Sequence, residues 1–271
     1  MVEAVIKKGR RRWVAAGWMA VLAAGALSAA QAADVMSEAR ARGVLRVAVE
    51  GTYPPFNFKD PKTGHLTGYD VDVARLVAAR LKLKPQFVLT EWSAILPALT
   101  SGKVDAAISQ VIITPEREQA YDFSIPYTYS GFQLMVRKNE RATYRSLADL
   151  KGRRLGVRQG SVFEQRAKEV PGIEVKSYPA VPENLQDLAF GRIDASLDDS
   201  LVVNYLLTNS ALPIKAGPRV GKVMHIGVAF RKGNPQFKAA VDKILNEARS
   251  DGSLRRLSLK WFGIDASSAT R

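Results

Sequence analysis

Residues 43–81, GVLRVAVEGTYPPFNFKDPKTGHLTGYDVDVARLVAARL, place a strand, a loop and a helix in immediate succession. Val44, Leu45, Val47 and Val49 form a short apolar run bounded by Gly43 and Gly51, the pattern of a buried strand. The Pro-, Gly- and Asp-rich stretch that follows reads as a loop. From Tyr69 the period changes: Val71, Val73, Leu76, Val77 and Leu81 recur at helical spacing, and Asp70 and Asp72 suit the positive end of a helix dipole. The pattern then repeats with the strand PQFVLT (85–90), the helix WSAILPALTSGK (92–103) and the strand DAAIS (105–109). Alternation of this kind builds an open, mostly parallel sheet.

A second series starts near Gly131. GFQLMVRK, RLGVRQG, IEVKSYP and DASLDD read as strands, with SLADLKG, SVFEQRAKEV and PENLQDLAFGRI as helices between them. The last third, from Ile226 to Gly263, is a strand, a turn and two amphipathic helices. No Ser/Gly linker separates the series, so two lobes joined by strands that run from one into the other are predicted. The cleft between them is the natural binding site.

The first 32 residues carry five cations between Lys7 and Arg12, an Ala-, Val-, Leu- and Gly-rich run, and small residues around Ala30-Gln31-Ala32. This is the pattern of a secretory signal peptide cleaved after Ala32, and the run is too short and too weakly apolar for a membrane anchor. The whole chain has a formal charge of +14, and residues 1–32 take five cations and one acid with them, leaving +10. The remaining Lys and Arg are scattered among acids, which argues against nucleic acid as a partner. There is no cysteine in the 271 residues, hence neither disulfide nor lipidation site, and a free periplasmic protein resting on its apolar core is expected.

At GYDVDVARLVAARL (68–81) the chain resembles the extracellular solute-binding proteins of bacterial amino-acid ABC importers. The likeness runs from Val44 to Gly263 through EGTYPPF, SGKVDAAIS, ITPER, DFSIPY, LADLKG, VRQGS, GRIDASLDD, VAFRKGN and DGSL…KWFG, in the family's order. The resemblance implies an α/β, two-lobed type II periplasmic-binding fold, each lobe a mostly parallel five-stranded sheet with one antiparallel strand, flanked by helices. Two hinge crossovers, near Thr128–Ser130 and His225–Gly227, then divide the chain into lobe 1 (33–129 plus 226–271) and lobe 2 (130–225).

The same resemblance assigns a site. The stretch DAAISQVIITPEREQAYDFSIPY (105–127) ends an apolar run in a Thr-Pro turn and presents Arg117, which the family uses on the ligand's α-carboxylate. A guanidinium fork matches a carboxylate in two parallel hydrogen bonds, as an ammonium cannot. In GRIDASLDD the last acid, Asp199, is the implied partner of the α-ammonium, with Asp198 the structural alternative on the opposite face of the strand. Backbone N–H groups around Gln110 and Ile112, and from Gly160-Ser161-Val162, would complete the carboxylate site. Ile112 and Val162 stand where many relatives carry Ser or Thr, so main-chain donors alone remain there. Tyr53 and Trp92 are expected to cover the ligand's side chain, Phe56 to pack, and Glu50 and Arg158 to face its far end. His65 and His225 lack metal-ligand company, and no metal or cofactor is expected.

Opposite charges on Glu50 and Arg158 suit a ligand whose far end is itself a zwitterion, as in L-cystine, and EGTYPPF, SQV and YDFSIPYTYSG look closest to cystine-binding members. Arginine or lysine, for which Glu50 alone suffices, is the alternative. A periplasmic dehydratase of the cyclohexadienyl or arogenate type on the same scaffold is a third reading, but Glu50 would be its lone acid. The expectation is therefore a monomeric, non-enzymatic binding protein that delivers its ligand to separate permease and ATPase subunits.

Overall fold

A computed structural model describes residues 34–269, so the signal peptide expected over 1–32 lies outside the described residues. The first part of the chain comprises α1 (Val35–Arg42), β1 (Val44–Val49), β2 (Thr52–Tyr53), β3 (Asn57–Lys59), β4 (Leu66–Thr67), α2 (Tyr69–Arg80) and β5 (Lys84–Leu89). It continues through α3 (Trp92–Thr100), β6 (Ala106–Ala107), α4 (Pro115–Ala120) and β7 (Tyr121–Phe123). The middle holds β8 (Thr128–Arg137), β9 (Arg154–Arg158), α5 (Val162–Lys168), β10 (Glu174–Tyr178), α6 (Val181–Ala189), β11 (Ala195–Asp199), α7 (Ser200–Asn209) and β12 (Ile214–Ile226). The chain closes with β13 (Ala229–Arg231), α8 (Pro235–Ser250) and α9 (Ser253–Phe262).

Two five-stranded sheets result, in the orders β5-β1-β6-β13-β7 and β10-β9-β11-β8-β12. In the first, β13 alone runs against its neighbours β6 and β7; in the second, β8 alone runs against β11 and β12. Strand β1 shows why the sequence selects this arrangement. Leu45, Val47 and Val49 enter the core beneath α2, while Ala48 enters a second cluster with Trp92, Ile95 and Leu99 of α3. A strand buried on both faces needs apolar residues throughout, and parallel sheets supply that burial.

The chain passes from the first sheet to the second after β7 and returns after β12. The two passages lie side by side, with Thr128 opposite Ile226 and Tyr129 opposite His225. Helices α8 and α9 pack back on α2 of the first sheet, tied by Lys260 Nζ and Trp261 Nε1, which donate to Asp72 at 2.7 and 2.9 Å.

Three local expectations change. The loop of residues 52–67 contains a small antiparallel sheet, β2-β3-β4. The strand expected over 105–109 pairs only at Ala106 and Ala107. Thr114-Pro115 is a helix start: Thr114 caps α4, its Oγ1 accepting from the Arg117 N–H at 3.3 Å, and Pro occupies the first helical position, where its missing donor costs nothing.

Candidate functional site

The signature Gly-Tyr-Asp at 68–70 works from behind the site. Gly68 adopts φ +128°, and a Cβ there would meet the Phe56 carbonyl oxygen at 2.2 Å, so only glycine lets α2 start against that loop. Tyr69 is fully buried and donates to the Tyr127 carbonyl at 3.0 Å. Asp70, also fully buried, accepts from Tyr127 Oη at 2.8 Å and from Asn57 Nδ2 at 3.0 Å. Asn57 in turn accepts, through Oδ1, from the N–H groups of Glu50 and Gly51, both at 2.9 Å. Tyr127 Oη accepts from the Gln110 N–H at 3.3 Å. One carboxylate therefore fixes the turn that carries Glu50 and the turn that carries Gln110. Burial pushes the Asp70 carboxyl up to about 7, against the hydrogen bonds from Tyr127 and Asn57.

Glu50 and Arg158 meet between the lobes. Arg158 ends β9 in the second sheet, and its Nη1 lies 2.5 Å from Oε2 of Glu50, just past β1 in the first; each side chain is 3% exposed. The guanidinium carbon sits 4.2 Å from the Tyr53 ring centroid and 4.2 Å from that of Trp92. The aromatic pair expected to cover a ligand thus holds a cation of the protein, and Trp92 also belongs to the core cluster under α3. Burial raises the Glu50 carboxyl against the pull of Arg158. Burial draws the Arg158 guanidinium down, but Glu50, Tyr53, Asp198 and Asp199 together leave it above its ordinary value.

On β11 the two adjacent acids make different contacts. Asp198 is turned toward the first lobe, its Oδ1 accepting from Tyr53 Oη at 2.7 Å. Asp199 caps α7, accepting from the Leu201 N–H at 2.8 Å and from Ser130 Oγ, on the hinge strand, at 2.5 Å. Asp198 therefore bridges the lobes instead of lining a remote face. Asp199 is 1% exposed and has no cation within ion-pair distance among the described residues. Burial, reinforced by Asp198 and Asp70, raises its carboxyl to about 7 despite the bonds from Ser130 and Leu201.

Arg117, on the first lobe, is half-buried and is aimed by a single bond from Nη1 to the Ile112 carbonyl, 2.9 Å long. Its guanidinium carbon lies 5.5 Å from the Trp92 centroid, with no carboxylate in ion-pair range among the described residues. Burial first, and the like charge of Arg158 second, hold it down at about 10. Ile112 bridges to Ile226 through hydrogen bonds of its neighbours, Ile113 N–H to the His225 carbonyl and Gly227 N–H to the Val111 carbonyl, so its own N–H stays outside that ladder. Gln110 holds φ +53° and is 3% exposed, and neither polar atom of its amide has a partner among the described residues.

The donors expected from Gly160-Ser161-Val162 are mostly engaged within their own turn. The Gly160 N–H donates to Glu164 Oε2 at 2.6 Å, the Ser161 N–H to the Arg158 carbonyl at 3.2 Å, and the Ser161 hydroxyl to the same carbonyl at 2.5 Å. That removes Gly160 and Ser161 as ligand donors and leaves the Val162 N–H. The spacing Ser161-x-x-Glu164 is that of a helix N-terminus, a signal in the sequence that could have warned of this: Ser161 Oγ accepts from the Glu164 N–H at 3.2 Å, and the Glu164 carboxylate takes the Gly160 N–H. Asn57 and Tyr127 had no comparable signal. His65 and His225 are both exposed, and no cluster of potential metal ligands occurs among the described residues.

The model of the bacterial extracellular solute-binding proteins, family 3, matches residues 45–264. The L-cystine-binding protein TcyJ of Escherichia coli K12 is 40% identical over 254 residues, covering 92% of this chain and 94% of that protein. An ancestral arginine-binding protein bound to arginine is similar in structure with a TM-score of 0.78 at 39% identity, covering 82% of this chain and 99% of its own. The ancestral amino acid-binding protein AncCDT-1, a precursor of cyclohexadienyl dehydratase, matches with a TM-score of 0.79 at 36% identity, covering 85% and 100%. The fold is the two-lobed type II periplasmic-binding one.

Proposed function

This chain belongs to the bacterial extracellular solute-binding proteins, family 3, and on that premise we propose that it captures a polar amino acid in zwitterionic form between its lobes. The observation that carries the reading is a pair of opposite charges on different lobes, Arg117 half-buried and Asp199 enclosed, without ionic partners among the described residues. Arg117 on the first lobe is held at about 10 and Asp199 on the second is raised to about 7, each pushed toward its neutral form by burial. An α-carboxylate would give the Arg117 cation its missing partner and an α-ammonium would favour the ionised form of Asp199, so that one ligand joins the two lobes. Gln110, Ile112 and Val162 supply the remaining polar groups near the carboxylate, and Tyr53 and Trp92 the apolar walls.

The ligand we propose is L-cystine. Its second zwitterionic end offers an ammonium to Glu50 and a carboxylate to Arg158, and the 40% identity to a cystine-binding protein supports the choice. Arginine is the competing reading, because Glu50, Tyr53 and Trp92 together form a cation site. We further propose that the protein acts as a monomer in the periplasm, delivers its ligand to membrane permease and ATPase subunits of an ABC importer, and catalyses no reaction. Among the described residues no helix is long and apolar enough to cross a membrane. A thermal-shift screen of the twenty amino acids with cystine, ornithine and arogenate tests this, since a ligand of the folded form raises Tm. The largest rise is expected with L-cystine; a rise with arogenate alone would point to the dehydratase reading.

A further inference from the structure

Arg158 belongs to the second lobe, yet its guanidinium lies in a site built almost wholly by the first. Glu50 takes its Nη1 at 2.5 Å, and the Tyr53 and Trp92 ring faces approach its carbon at 4.2 Å each. Two aromatic faces and a carboxylate are what a desolvated guanidinium or ammonium requires. The site is enclosed: Tyr53 is 1%, Trp92 5% and Arg158 3% exposed. A ligand's guanidinium could enter only by displacing Arg158 or by lying beside it, where like charges repel at low dielectric.

One more feature separates Arg158 from a simple structural cation. Its Nε is buried and has no hydrogen-bond partner among the described residues. A buried, unsatisfied donor on a cation is costly, and a carboxylate oxygen satisfies it better than any other ligand group.

We infer that Arg158 is a built-in occupant of the cation subsite formed by Glu50, Tyr53 and Trp92, and that it sets specificity by rejecting amino acids whose side chain ends in a lone cation. A far end that carries a carboxylate beside its ammonium is admitted, because it answers Arg158 and Glu50 together. The inference rests on the amino-acid reading of the cleft and adds the residue that decides between the two ligand classes. Positive design toward the zwitterion and exclusion of the bare cation then come from the same side chain.

The test is calorimetric titration of wild type and Arg158→Ala with L-arginine and with L-cystine. Arg158→Ala should bind arginine about tenfold or more tightly than wild type, as the vacated aromatic faces and Glu50 receive the ligand's guanidinium. Its affinity for cystine should fall, and Glu50→Gln added to Arg158→Ala should remove the gain for arginine. Methylguanidinium, which needs neither Arg117 nor Asp199, should raise the Tm of Arg158→Ala more than that of wild type. If Arg158→Ala does not fold, Arg158→Gln, which still offers Glu50 a hydrogen bond, carries the same measurements. Wild type that binds cystine, together with folded Arg158 variants that gain nothing for arginine or methylguanidinium, overturns the inference and leaves the amino-acid reading standing. Wild type and variants that bind no amino acid overturn both.

Discussion

The interlobe region holds two sets of opposite charges: Arg158 and Glu50 meet at 2.5 Å, whereas half-buried Arg117 and enclosed Asp199 have no opposite charge in ion-pair range among the described residues. Both sets place a cation and an anion on different lobes, yet the chain itself completes one and not the other. Their electrostatics differ accordingly. Glu50, Tyr53 and the β11 acids hold Arg158 above its ordinary value against burial, while burial lowers Arg117 to about 10, where it remains a cation at neutral pH, and raises Asp199 to about 7. A charge pair made within the protein contributes to the closed arrangement. In the proposed function, the pair left apart takes a ligand of matching charges as its partner, and affinity would then report the same burial that is otherwise a cost.

The sharpest way to break the comparison is to cut the completed pair. Glu50→Ala leaves Arg158 buried without its carboxylate and should cost about 3–5 kcal/mol of stability, read by urea unfolding of the ligand-free protein. A loss below about 1 kcal/mol, the range of exposed pairs, would mean that Glu50 and Arg158 are solvated in solution and that the two sets of charges are alike.

Arg117→Ala and Asp199→Ala should affect binding more than stability. Arg117→Ala removes a half-buried charge that lacks an ionic partner, so its stability should hold or rise, while Asp199→Ala also removes the α7 cap and the acceptor of Ser130 Oγ and should lose about 1 kcal/mol; amino-acid binding should weaken by about 2–5 kcal/mol in both. Calorimetry that returns near-normal affinity in either folded variant would remove these residues from the site.

The smallest effect is a proton linkage. The Asp199 carboxyl is raised to about 7 from 3.8, so the free protein holds that proton below about pH 7, whereas an ammonium partner requires the ionised form. Affinity should therefore be level above pH 7 and fall as pH drops below it, by at most about tenfold per unit. Binding at pH 7 should release about half a proton, visible as a dependence of the observed heat on buffer ionisation. For the ligand-free fold the sign is opposite: a carboxyl raised on folding contributes stability that is present below its unfolded pKa and is lost as pH rises through about 7, and Asp70 acts in the same direction. Affinity that does not change between pH 5 and pH 8 would separate Asp199 from the ligand's ammonium.

Local chemistry made much of this molecule legible. The apolar runs and their periods gave two α/β series, because a strand buried on both faces and a helix buried on one leave distinct spacings. Motif order placed Arg117, and the reason is short-range: Thr114 and Pro115 start α4 and the Ile112 carbonyl aims the guanidinium, all within five residues. Gly68 was likewise fixed by a nearby backbone. The turn before α5 was equally local: the Gly160 N–H turns to Glu164, and the Ser161 donors turn to the Arg158 carbonyl.

What the sequence by itself determined was the alternation of elements, the family, and the identity of the charges available to the cleft. Only the tertiary structure decided which charges meet. Arg158 reaches Glu50 across 108 residues and Tyr53 reaches Asp198 across 145, so no spacing along the chain encodes either contact. Adjacent acids on β11 are separated in role by the pleat, the hinge hydroxyl of Ser130 and the ring of Tyr53, which come from other strands. Pairing is a matter of burial and distance, and both are properties of the packed lobes.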